Sequence, residues 1–261
     1  MEKLNRQLDD LIKSFQNAEN FRAELDQLIS CYPFSNYEYI ISNLLAQDKL
    51  TIDEYLEIRN SYIDRNLFLS LFEISAPRGF GDTWAFGHLS EIAPDLKRPN
   101  KKLDPTYKGE YDLYLNWSDS GGKKHYIKIE VKASRAVDRE KPDEPLYVKA
   151  LASDSSRPFL MNYQQLKPKC CDLFIWISVY RDEIKYWVIN AKHIQSHGDF
   201  VPQHRNENTA TRGKDFKKED IFEGQLMITK DNIGKFDDFA CDSVGLKAMV
   251  LRQYKILMGL K

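Results

Sequence analysis

The residue types and spacings that point to chemistry converge on Asp112, Glu130 and Lys132. The stretch Tyr126-Ile127-Lys128-Ile129-Glu130-Val131-Lys132-Ala133 alternates apolar and charged side chains. Read as a strand, it turns Ile127, Ile129, Val131 and Ala133 to one face and Lys128, Glu130 and Lys132 to the other. Asp112 stands 18 positions before Glu130, across a glycine-rich turn. Antiparallel pairing of the two segments would bring the carboxylates together. Like charges held close repel and rise in pKa unless a cation relieves them. Mg2+ does so with oxygen ligands and keeps several waters, one of which can become an attacking hydroxide. A lysine one step further would orient that water and offset charge on a phosphate undergoing cleavage. A bare Glu-x-Lys triplet on a solvated strand does none of this, so its surroundings decide.

Those surroundings read as a mixed α and β body behind a helical front. Leu4, Leu8, Leu11, Phe15 and Leu25 fall on one amphipathic stripe over 4–28. Pro33 breaks it, a second helix is expected over Asn36–Gln47, and Thr51-Ile52-Asp53-Glu54 matches a capping box that starts a third. This front, residues 1–75, lacks a basic face and is expected to pack or dimerise rather than read DNA. Pro77-Arg78-Gly79-Phe80-Gly81-Asp82 marks a joint, and a second domain covers 76–261. There a helix is expected over Thr83–Ile92, then strands over Glu110–Trp117 and Lys124–Ala133 around Ser118-Asp119-Ser120-Gly121-Gly122. A helix over Met161–Leu166 follows, then strands Asp172–Tyr180, Ile184–Asn190 and Gln225–Thr229, with a polar, irregular stretch at 195–220. A last helix is expected at Leu246–Leu260. Phe174, Trp176 and Trp187 alternate within strands and read as core.

An acid on the first hairpin strand, then hydrophobic–Glu–hydrophobic–Lys on the next, then a helix and an apolar strand, resembles the PD-(D/E)xK nuclease superfamily. The resemblance covers roughly 80–190 and implies a restriction-endonuclease-like fold, a mixed central sheet flanked by helices. It implies that Asp112 and Glu130 hold metal with the carbonyl of Val131, and that Lys132 positions the nucleophile. Glu91, in the expected first helix, matches an acid that many members carry. Gln164 or Gln165 matches a glutamine found in some. Tyr111 replaces the proline of the motif's name, and Asp104 and Glu110 are rival first acids. The length, the absence of an ATPase motif and the near-neutral charge lean toward a type II restriction endonuclease, a homodimer cutting double-stranded DNA with Mg2+. Mn2+ is expected to substitute, and Ca2+ to support binding without cleavage. The rivals are a repair or recombination nuclease of the same core and a DNA-binding module without chemistry.

The 261 residues, 30% of them charged, hold no apolar run of the roughly 18–20 needed to cross a bilayer. The N-terminus has no secretory apolar core, and the four cysteines form no C-x-x-C pair, so a cytoplasmic protein without a membrane partner or small-molecule cofactor is expected. Net charge is −1, but 1–75 carries 7 basic and 13 acidic groups and the remainder 31 and 26, leaving a mildly basic body suited to a polyanion. Within 203–218, Arg205, Asn206, Asn208, Arg212 and Lys214 are of the types that read base edges or phosphates. Arg135 and Lys149, with Arg139 and Arg157, are candidates to grip flanking phosphates. His193 and His197 lie four apart without an intervening Glu or a third ligand, and read as surface histidines.

Overall fold

Leu173–Val179 is apolar at every position but Ser178, as a strand covered on both faces must be, and it is buried throughout. In the computed structural model, which describes residues 44, 48–54, 57, 71–72, 74, 79–146 (backbone only at Asp82), 148–203 and 217–260, it lies at the centre of a mixed sheet. The chain divides into two units, Met1–Leu67 and Phe68–Lys261, so Leu71, Phe72 and Ile74 go with the second. In the first unit Leu44 is helical, Asp48 takes φ +55°, and the Lys49 N–H donates to Leu44 O at 2.9 Å, a left-handed helix ending. The capping box then closes both ways. Glu54 N–H donates to Thr51 Oγ1 at 3.2 Å, and Thr51 N–H to Glu54 Oε2 at 2.9 Å. The stripe expected over 4–28 lies outside the described residues.

The second unit begins its described run with a π-helical turn, Gly79–Trp84, continuous with α1, Ala85–Ile92. The joint expected around Gly79 and Gly81 is thus already helical. The hairpin follows as β1 (Leu113–Ser118) and β2 (Lys124–Arg135). Asp119 closes its turn by accepting the N–H groups of Gly121 and Lys123, both at 2.9 Å, with Gly122 at φ +80°. Then come β3 (Val137–Asp138), β4 (Phe159–Leu166), β5 (Leu173–Val179), β6 (Ile184–Asn190) and α2 (Ala191–Ser196). β7 (Val201–Pro202), β8 (Gly224–Thr229), β9 (Ala240–Cys241) and α3 (Leu246–Met258) complete the unit. Gly259 ends α3 at φ +64°.

The first sheet has the order β1-β2-β5-β6-β9, with β2 and β5 parallel and the other pairs antiparallel. The second, β3-β4-β8-β7, is antiparallel. The fold is therefore mixed α/β around a mixed sheet. Register decides which side chains share a face. Glu130 pairs with Phe174, Lys132 with Trp176 and Ser134 with Ser178. Ile127, Ile129 and Val131 turn to the other face, where α1 packs on β2 and α3 on β5 and β6. The face bearing Glu130 meets the second sheet over β5, where Tyr163 stacks on Trp176 at 4.3 Å between ring centroids. No helix among the described residues is long and apolar enough to cross a membrane.

One expected element is corrected. Met161–Leu166 is the end of β4, not a helix. Phe159, Met161 and Tyr163 are buried in alternation, and then the register shifts and Gln165 takes φ +58°. That extra residue moves the next buried position to Leu166. The resulting three-residue step imitates helical spacing.

Candidate active site

Pairing of Leu113 with Ile129 sets Asp112 beside Glu130. The Asp112 N–H donates to Ile129 O at 2.9 Å, and Asp112 Oδ2 accepts the Val131 N–H at 2.8 Å. A side chain thus takes over the ladder where β1 begins, and its carboxyl also hydrogen-bonds that of Glu130. On the same face, Lys132 Nζ lies 2.7 Å from Glu130 Oε1. The three residues expected to act together are in direct contact.

Burial first, and then the adjacent Asp112 carboxylate, push Glu130 up to about 7, against the opposing pull of Lys132. Burial and the charges of Asp112, Glu110 and Glu130 also raise the Tyr107 phenol, so Tyr107 borders the acids. Sequence reasoning missed it, because an isolated tyrosine in a turn carries no pattern. The rival Asp104 is engaged elsewhere. It accepts the Thr106 hydroxyl at 2.6 Å and the Tyr111 hydroxyl at 2.9 Å, and pairs with Lys128 Nζ at 2.9 Å. Those donors hold its carboxyl well below the usual range. Glu110 is half-buried and accepts the Lys108 N–H.

β2 ends at Arg135, and after Ala136 the same chain enters the second sheet as β3, where Val137 pairs with Leu160 of β4. The two sheets diverge from this corner, which the Asn162 N–H bridges to Ser134 Oγ at 3.0 Å. A groove of about 630 Å³ opens there, with Asp112, Lys132 and Arg135 on one side and Asn162, Gln164 and Gln165 on the other. Two adjacent carboxyls are oxygen donors of the kind a hard cation binds. In an extended strand the N–H and C=O of one residue point the same way, so the Val131 carbonyl faces the side of Asp112. Among the described residues no group of three or more His, Cys, Asp or Glu side chains gathers. An ion here would rest on two carboxylates, a carbonyl and water, a set that suits Mg2+.

No family model, curated protein or solved structure matches this chain.

The remaining candidates are dispersed. Glu91 is exposed on α1 and is not among the residues lining the groove. Arg135 lines the groove, but its Nη1 donates to Leu71 O at 2.9 Å and Ile74 O at 2.7 Å, and its guanidinium lies over Phe80. Lys149 Nζ donates to Pro142 O at 2.9 Å and so closes a loop. Arg157 pairs with buried Asp138 at 3.1 Å. Arg205, Asn206, Asn208, Arg212 and Lys214 lie outside the described residues. Gln164 and Gln165 line the groove, though from a strand instead of the expected helix. His193 and His197 are not surface residues: both are half-buried, packed against Phe239 and Phe236, and burial lowers their pKa values.

Proposed function

We propose that the protein is a Mg2+-dependent, site-specific endonuclease that hydrolyses phosphodiester bonds of double-stranded DNA, acting as a type II restriction enzyme. The observation that carries this reading is the contact between the Asp112 and Glu130 carboxyls, beside the Glu130–Lys132 ion pair and next to an open groove. Two acids pressed together, Glu130 buried and Asp112 half-buried, oppose folding, and a polyanion-cleaving site gives the arrangement a use. Bound Mg2+ would supply Lewis acidity and a water acidified for attack. The Val131 N–H fixes one oxygen of Asp112, and Lys132 Nζ fixes one of Glu130. Lys132 is placed to orient the attacking water and to offset charge on phosphorus. A homodimer on a twofold-symmetric site is the assembly this reading implies.

The test is incubation of the full chain with plasmid DNA and Mg2+, followed by sequencing of the ends. Discrete fragments with one shared end sequence are expected, and they would set aside a nuclease that reads DNA structure. Absence of any Mg2+-dependent cutting would overturn the reading, as would wild-type cutting by Lys132→Ala.

A further inference from the structure

Arg135 ends β2 at the corner where the two sheets part, and its side chain lines the groove together with Lys132. The guanidinium is held from behind. Nη1 donates to Leu71 O and Ile74 O, and the plane lies over Phe80, 4.4 Å from the ring centroid. These partners fix its direction without cancelling its charge. Burial lowers its pKa, and no carboxylate among the described residues acts against that. A half-buried cation without a counter-charge is costly. The two hydrogens of Nη1 serve the carbonyls, which leaves the edge formed by Nε and Nη2. That edge has no protein partner among the described residues and is not sealed from solvent. Two parallel N–H groups in one plane match two oxygens of one phosphate. Three residues of extended strand, about 10 Å, separate Arg135 from Lys132. Asp112 presses on Glu130 but exerts no such influence on Arg135, so this cation stands apart from the acids.

We infer that Arg135 clamps a phosphate flanking the scissile one, without help from metal, so the substrate must be a polynucleotide whose charged backbone continues past the cut. This rests on the nuclease reading above and adds what that site demands of its substrate. A bond whose neighbouring phosphate is missing or uncharged is then a poor substrate even within the right base sequence.

Two readouts on the full chain separate this inference from that reading. In chelator, fluorescence anisotropy follows binding of a labelled duplex of arbitrary sequence by wild type and Arg135→Gln across a salt series. Loss of one phosphate contact should weaken binding roughly tenfold at low salt and reduce the slope of log K against log salt by about 0.9. An unchanged slope in folded Arg135→Gln overturns the inference, as does a wild type that binds no duplex in chelator. In Mg2+, the duplex that wild type cuts is remade with an uncharged methylphosphonate at each phosphate beside the cut in turn. One flanking position should slow wild type about tenfold and slow Arg135→Gln no further. Equal losses in both proteins, or no sensitive flanking position, overturn the inference. If wild type cuts no DNA while the salt slope still falls, the nuclease reading goes and Arg135 remains a phosphate site. If cutting persists with an unchanged slope, the nuclease reading survives and the clamp does not. Should Arg135→Gln lose its cooperative melting transition, phenylglyoxal labelling of wild-type arginines, mapped by peptide mass spectrometry, decides. Duplex DNA should shield Arg135, and equal labelling with and without DNA overturns the inference.

Discussion

At Glu130, burial and the neighbouring Asp112 act against Lys132, and the acid ends near neutrality. The folded state then keeps a proton that the unfolded chain gives up above about 4.5. Stability in the absence of divalent ions should therefore fall as pH rises from there through about 7, and level off above. Glu130→Gln removes the titrating group. Its advantage over wild type should grow between pH 5 and pH 8 by on the order of 2–3 kcal/mol, read from urea denaturation in chelator. Parallel curves for the two proteins would show that Glu130 has an ordinary pKa. Lys132→Ala should nearly abolish cleavage while leaving specific binding within about tenfold, roughly 1.4 kcal/mol, because its proposed role belongs to the transition state. Loss of that cation also leaves Glu130 with less to hold its charge. Any residual activity should accordingly need higher pH, which a pH–rate profile checks.

Among the elements, β2 and β4 do most to shape the site. β2 supplies the acid and the lysine, then bends through Ala136 to start the second sheet. β4 meets it at Ser134 and departs, and the departure makes the groove. The second sheet holds β4 in place through β8, whose Gly224 pairs with Leu166 just past the bulge. A Cβ on Gly224 would come within 2.6 Å of the Val201 carbonyl oxygen and closer still to the Phe200 ring. The backbone oxygen cannot swing away, so Gly224→Ala should destabilise the fold by about 1–3 kcal/mol in chemical denaturation. An unchanged denaturation midpoint would mean that β7 gives way freely, and that the β4 wall is softer than its packing implies.

For the whole molecule, the balance of charge governs how the groove would meet DNA. Without a divalent ion, Asp112 and Glu130 present acidic groups to an anionic backbone, while the body behind residue 75 is mildly basic. Ca2+ should tighten specific binding without cutting. Asp112→Asn should bind metal-free DNA at least as well as wild type, lose most of the Ca2+ enhancement and lose Mg2+-dependent cleavage. Glu110→Gln should change neither property. If Glu110→Gln abolishes cleavage and Asp112→Asn does not, the first carboxylate is two residues from where the contacts point. Fluorescence anisotropy with a labelled duplex, alongside plasmid digestion, reads both. Binding in every case should weaken steeply with salt, as counterions are released from the phosphates.

What the sequence determined by itself was local. Alternation in 126–133 set the two faces of β2, and turn residues at 118–122 set the hairpin and so the meeting of Asp112 with Glu130. Thr51 and Glu54 declared their cap. Each of these rests on interactions between near neighbours, which composition and spacing express directly. What only the tertiary structure decided was non-local. A bulge at Gln165 hid the strand character of β4, because one inserted residue breaks a period of two. Arg135 reads as a free cation in sequence, yet carbonyls more than sixty residues away hold it. Asp104 and Asp112 are both acids before the hairpin. Only the side-chain partners each one found, Thr106 and Lys128 against Val131 and Glu130, told them apart. The groove belongs to this second kind, since it exists where two sheets separate, and no stretch of either strand records the angle between them.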